Sequence, residues 1–164
     1  MTSGKQFFLY PGQLIIAQHN EEVVTILGSC VTIILHSSRA GISAVNHAQQ
    51  PAMGSQLSCR DSCPHPCGKA EVPDYKYVTC SMDFMWQRLL KMGITPGELQ
   101  VSLYGGATSE VMEGNPYNVG EKNIAAAELA IAARGLKIHH RDVGGRLSRK
   151  LRHDSASGMT QISK

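Results

Sequence analysis

The sequence predicts an α/β fold, with a mixed, largely antiparallel sheet and two main helices. Three observations carry this expectation. Short β-branched runs, broken by glycine and proline, fill the first 45 positions; two later stretches space their apolar residues as helices do; and strand-like runs return after position 135.

Taken in order, QLIIAQ (13–18), VVTIL (23–27), VTIIL (31–35) and ISAV (42–45) read as strands. They are separated by Pro-Gly, Asn-Glu-Glu, Gly-Ser and Ser-Ser-Arg-Ala-Gly turns. An apolar run as short as VTIIL can also be a buried helical turn starting at Cys30. Positions 48–76 hold four prolines and three cysteines without periodicity, which reads as a long ordered loop or insertion. Met82, Met85, Trp86, Leu89 and Leu90 recur at helical spacing, and Gly93 stands where a helix-closing glycine belongs. LQVSL (99–103) reads as a strand that ends at Tyr104-Gly105-Gly106-Ala107. A second helix runs from about Val119 to Arg134, with Asn118 as cap, Glu121 three residues on, an alanine-rich face for close packing on a sheet, and Gly135 as stop. Leu136–His140, Leu147–His153 and Met159–Ile162 complete the strands, joined at Gly144-Gly145 and at 154–158. No internal repeat is visible.

At 164 residues the chain fits one domain, here taken as 1–164 with the insertion at about 48–76. With 42% hydrophobic residues, 18% charged residues and a formal charge of +3, nothing calls for nucleic acid or a membrane surface. The first residues lack a signal-type apolar core, and no stretch approaches membrane-spanning length, so a cytoplasmic protein is expected. Five cysteines, an odd number, then fit free or metal-bound thiols better than a disulfide framework.

Cys30 stands apart from the other four, at the end of TILGSCV. A thiol needs a base or a positive field to act as a nucleophile near neutral pH. Of seven histidines, His47 is the candidate, because it ends the strand that follows the run of Cys30 itself, in Val45-Asn46-His47. The turn at Gly28 and Ser29 offers backbone N–H groups that, with that of Cys30, can hold an oxyanion. The competing reading is a buried cysteine acting as a small hydrophobe.

The order VVTILGSCVTIILH, GISAVNH, LYGGA, NVGEKNIAAAELAIAARGLKI and DVGGRLSRKL resembles the chemoreceptor glutamine deamidase family, CheD, of bacterial and archaeal chemotaxis, over nearly the whole chain. The resemblance implies a sandwich similar to bacterial toxin deamidases. It implies a protein-glutamine glutaminase that hydrolyses receptor glutamine amides to glutamate with release of ammonia, and in some members hydrolyses receptor glutamate methyl esters. A Cys-His pair helped by a threonine does this without a cofactor. The nucleophile maps to Cys30 and the base to His47. The threonine often stands six residues before the cysteine, where this chain has Val24, whereas Thr25 stands five before. A displacement by one turns a strand residue to the opposite face, so Thr25 is expected to serve only if a bulge or shifted turn re-aims it. The expected partners are chemoreceptor cytoplasmic helices, as substrate, and a CheC-type phosphatase. A non-catalytic CheD-like protein that docks on either is the second function class.

Other features have plainer readings. Cys59, Cys63, Cys67 and Cys80, with His65, could hold a structural zinc or an iron-sulfur cluster, although the spacing is not a standard one. The basic run from Arg141 to His153 reads as a solvated hairpin face rather than a nucleic-acid patch. Gly105-Gly106 lacks a phosphate-loop lysine and reads as a tight turn or a close backbone approach. His139 and His140 cannot face one side of a strand, so they form no metal clip.

Overall fold

The structure, a computed structural model, describes residues 4–52 and 75–164. Nine strands and two α-helices form among them. The strands are β1 (Gln6–Phe8), β2 (Leu14–Gln18), β3 (Glu22–Leu27), β4 (Val31–Ser37), β5 (Ile42–Asn46), β6 (Leu99–Gly105), β7 (Ile138–Val143), β8 (Arg149–Asp154) and β9 (Thr160–Ser163). The helices are α1 (Val78–Lys91) and α2 (Val119–Ala132).

The strands form two sheets. Five run in the order β2-β5-β4-β6-β7 and four in the order β1-β3-β8-β9; only β6–β7 and β1–β3 pair in parallel, so both sheets are mixed and largely antiparallel, as expected. Strand β4 is the buried centre of the larger sheet, and every one of its residues is inaccessible. That settles VTIIL as a strand: its β-branched residues pack on both faces of a central pleat, as no isolated helical turn could.

The two faces of β4 make two cores. Val31, Ile33 and Leu35 point toward the helices and join Met82, Met85 and Leu89 of α1 and Ala127, Ala130 and Ile131 of α2. Ile34 and Val45 point the other way and meet Val23, Leu27 and Leu151 of the smaller sheet. The molecule is thus a layered α/β sandwich: helices, five-stranded sheet, four-stranded sheet. The alanine face of α2 packs on the sheet as expected, and Asn118 caps it by accepting the Glu121 N–H at 3.2 Å. Leu90, expected on the inner face of α1, is 42% exposed.

Two expectations are corrected, and one strand was not foreseen. Strands β7 and β8 are not partners across Gly144-Gly145: β7 pairs with β6 and β8 with β3, so this turn carries the chain from one sheet to the other. The basic run is therefore split between the two sheets: Lys150 and Arg152 do alternate outward on β8, which pairs with β9, but the run is not one continuous solvated face. Arg149 is buried and ion-paired with Asp142 at 3.0 Å, Arg146 meets Glu113 at 3.1 Å, and Arg152 meets Glu22 at 2.8 Å. Strand β1 has too few residues to show a period, and it forms only by pairing with β3.

Candidate active site

The larger sheet brings the loop before β4 and the residues after β5 together at one end. Beyond the regular ladder, Val31 and Ala48 exchange N–H···O bonds of 3.0 and 2.9 Å, in the same register as the Ile34–Val45 pair. Val31 and Ala48 belong to the helix-side core, so their neighbours Cys30 and His47 both turn to the opposite face, diagonal to one another across the bridge. Cys30 is half-buried against the inter-sheet core. His47 is buried, and its backbone is fixed on both sides: its N–H donates to the Gln13 carbonyl at 3.0 Å and its carbonyl accepts the Gly12 N–H at 2.8 Å.

The third sequence candidate reaches the same point from the other sheet. Thr25 is fully buried, and its Oγ1 lies 2.7 Å from Nδ1 of His47. No bulge is needed, contrary to expectation. Strand β3 pairs with β8 in unbroken register, and Val23, Thr25 and Leu27 alternate toward the larger sheet while Ile26 is exposed. Position 25 is an inward position of this strand. The spacing to the cysteine misleads because it counts through the Gly28-Ser29 turn, where strand alternation stops.

The same hydroxyl donates to the Leu9 carbonyl at 2.6 Å. A threonine hydroxyl has one proton, and a carbonyl can only accept, so toward His47 the oxygen is an acceptor. The ring proton is then on Nδ1, and Nε2 carries a free lone pair. Burial lowers the His47 pKa, partly offset by the Leu9 carbonyl, and burial raises the Cys30 pKa, partly offset by the backbone N–H of Cys30 against its own sulfur. Both shifts favour an uncharged thiol and an uncharged imidazole. Such a pair suits proton transfer during attack rather than a standing ion pair.

The turn that carries the thiol is clamped from behind. The Ala107 N–H donates to the Gly28 carbonyl at 2.9 Å, the Gly106 N–H to the Cys30 carbonyl at 2.8 Å, and Nδ2 of Asn123 to the Ser29 carbonyl at 3.0 Å. A Cβ on Gly105 would collide with the Cys30 carbonyl, and one on Gly106 with the side chain of Ile124, while both glycines have positive φ (105° and 69°). The Gly-Gly pair is therefore a close-approach site, the second of its two expected readings. Asn46 ties the neighbourhood to α1: Oδ1 accepts the Ile33 N–H at 2.6 Å, in the ladder gap beside His47, and Nδ2 donates to Ser81 Oγ at 2.6 Å. Sequence reasoning assigned no role to Asn46 or Asn123. The available signal was an asparagine at the end of a strand and another inside a helix, where it is a poor helix former.

Cys59, Cys63, Cys67 and His65 lie outside the described residues, as does most of the insertion. Its two flanks are held together, since Gln50 bridges Tyr77 and the Gln49 and Gln50 N–H groups both donate to the Lys76 carbonyl. Cys80 is buried in the first turn of α1 against Tyr75. Val101 donates its N–H to Nδ1 of His139, at the irregularity where β7 shifts register against β6.

A layered sandwich with a cysteine and a histidine on one inner face defines a class of thiol-bearing α/β proteins, and comparison with known proteins narrows it. The family profile described as CheD chemotactic sensory transduction matches residues 64–164. Similar chains that reach across the thiol region as well include the probable chemoreceptor glutamine deamidase CheD of Halorhodospira halophila, 31% identical over 156 residues, covering 95% of this chain and 68% of that one. The protein of the same name from Maridesulfovibrio salexigens is 30% identical over 164 residues, covering 98% and 92%. The probable chemoreceptor glutamine deamidase CheD 2 of Geobacter sulfurreducens is 32% identical over 144 residues, covering 88% and 80%. The chain belongs to the CheD family of chemotactic sensory transduction. No helix among the described residues is long and apolar enough to cross a membrane.

Proposed function

We propose that the protein is a protein-glutamine glutaminase acting in the cytoplasm on the helices of chemoreceptors, with Cys30 as nucleophile, His47 as base and Thr25 as its orienting partner. The observation that carries the reading is the 2.7 Å contact from Thr25 Oγ1 to Nδ1 of His47, which, with the hydroxyl accepting, makes Nε2 the basic nitrogen of a side chain that shares its sheet face with Cys30. The deamidase names of relatives that align over most of the chain support the substrate class. Residues 1–164 act in this reading as one deamidase domain with an insertion at about 48–76, and a CheC-type phosphatase is the expected protein partner.

In the reaction, Nε2 of His47 takes the Sγ proton as the sulfur attacks the glutamine side-chain carbon. The negative charge that forms on the amide oxygen is met by backbone N–H groups of the Ser29–Cys30 turn. The C–N bond breaks as His47 returns the proton to nitrogen, and ammonia leaves a thioester. Water then gives its proton to Nε2 and attacks the same carbon; the C–S bond breaks, and glutamate and the thiol result. No step needs a cofactor.

The test is incubation with receptor cytoplasmic fragments from the same organism and mass spectrometry of the glutamine-bearing peptides. Conversion to glutamate by the native protein, and none by Cys30→Ala or His47→Ala, is the expected result. Undiminished conversion by folded Cys30→Ala would remove the assignment.

A further inference from the structure

We propose that Asn123 is a positioning residue for this thiol chemistry, holding the Ser29–Cys30 peptide at the angle that points the Cys30 N–H at the oxyanion; the proposal rests on the Cys30–His47 reading above. Asn123 lies in the second turn of α2, on its inward stripe with Ala127, Ala130 and Ile131, and it is fully buried. Its Nδ2 donates to two carbonyls, Ser29 at 3.0 Å and Gln49 at 3.1 Å. One amide group thus joins the residue before the nucleophile to the second residue after the base, across 94 and 74 positions of sequence.

The geometry follows from the peptide bond. A trans peptide is planar, so the carbonyl of Ser29 and the N–H of Cys30 point in opposite directions from one rigid unit. Fixing the oxygen on Asn123, at the helix side, aims the N–H away from the helices, toward the face on which Cys30 and His47 lie. The two flanking carbonyls, of Gly28 and Cys30, are held by backbone N–H groups of Ala107 and Gly106. The middle one is held by a side chain. The peptide that bears the oxyanion donor is therefore the one whose orientation depends on a residue's identity.

The chemistry of position 123 points the same way. Its neighbours on the stripe are alanine and isoleucine, and an apolar residue would favour both the helix and the core. The asparagine oxygen Oδ1 is buried with no hydrogen-bond partner among the described residues, so the amide is held there by its two donors alone.

The experiment compares two activities of Cys30 in the folded protein. Deamidation of the receptor fragment needs the oxyanion donor, whereas alkylation by iodoacetamide needs only the thiolate and access to it. Asn123→Asp keeps the shape and replaces Nδ2 by an oxygen; Asn123→Ala removes the donor without adding charge and serves if the aspartate variant does not fold. The expected result is a fall in kcat on the order of tenfold to a hundredfold. KM, the alkylation rate and the pH dependence of alkylation should stay within about twofold of the native protein. A kcat within about twofold of native in a folded variant would overturn the positioning role, as would a parallel loss of alkylation and deamidation. Cys30→Ala is run beside them. If it still deamidates, the Cys30 reading falls and takes this proposal with it; if it is inactive while Asn123→Ala is fully active, the positioning role alone fails.

Discussion

Thr25 sets the chemistry of His47 through a count of protons. With its single proton given to Leu9 at 2.6 Å, the hydroxyl can only accept from Nδ1, and the imidazole is held as the tautomer whose Nε2 is a base. Thr25→Val keeps the volume and the β-branch but removes that acceptor. We expect kcat to fall about tenfold or more with KM nearly unchanged. Thr25→Ser, which restores the hydroxyl, should recover most of the loss. Nitrogen NMR of His47 gives an independent check, with the ring proton on Nδ1 in the native protein and a mixed tautomer in Thr25→Val. Native turnover in Thr25→Val would assign the orientation of His47 to the Leu9 carbonyl alone.

At the scale of elements, most of the fold was legible because each long element carries its own pattern. The β-branched runs of β2 to β5, the helical spacing in α1 and the Asn118 cap of α2 are local signals, and each of these elements stands within a few residues of its expected place. What was not legible depends on partners distant in sequence. Strand β1 exists through β3, and the assignment of β7 and β8 to different sheets depends on β6 and β3. The site divides in the same way. Cys30 and His47 could be read from a glycine turn and a strand end, but the facing of Thr25 follows from the pairing of β3 with β8, and the grip of Asn123 from the docking of α2. That docking has a buried ion pair at its far end, Arg134 to Asp83 at 2.9 Å, with both side chains about nine-tenths hidden. Asp83→Ala should leave the guanidinium buried without its counter-charge and cost on the order of 3 kcal/mol. The Asp83→Leu, Arg134→Leu double variant should cost clearly less. Urea unfolding of the three proteins measures this, and equal loss in the single and double variants would mean that the charges matter only through packing.

Across the whole molecule, the interface between the two sheets changes character along its length. Next to the Thr25–His47 contact it is apolar, with Leu27, Ile34, Val45 and Leu151 in one cluster against which Cys30 packs. At the opposite end it is a polar seam: Ser43 Oγ lies 2.8 Å from Nδ1 of His36 and 2.7 Å from Nε2 of His153, and Nδ1 of His153 lies 2.9 Å from Thr160 Oγ1. Burial holds the His153 pKa down at about 4, with the nearby His36 adding to the depression and Asp154 opposing it. The His36 pKa is lowered as well, chiefly by burial. The folded state therefore refuses protons that the unfolded chain accepts near its ordinary value of about 6.5. Stability from this seam is fully present above that value and is lost as pH falls from there toward 4. For His153 alone, the loss at pH 5 relative to pH 7.5 is about 2 kcal/mol. Urea unfolding at the two pH values should show at least that difference in the native protein, enlarged by His36. A His153→Gln variant keeps polar contacts without a titrating ring and should show a markedly smaller pH dependence, even if its stability at pH 7.5 is lower. An unchanged pH dependence in that variant would mean that the acid sensitivity of the sandwich lies in its carboxylates, of which Asp142 pairs with Arg149 across the two sheets and Glu22 pairs with Arg152 on the outside of the smaller one.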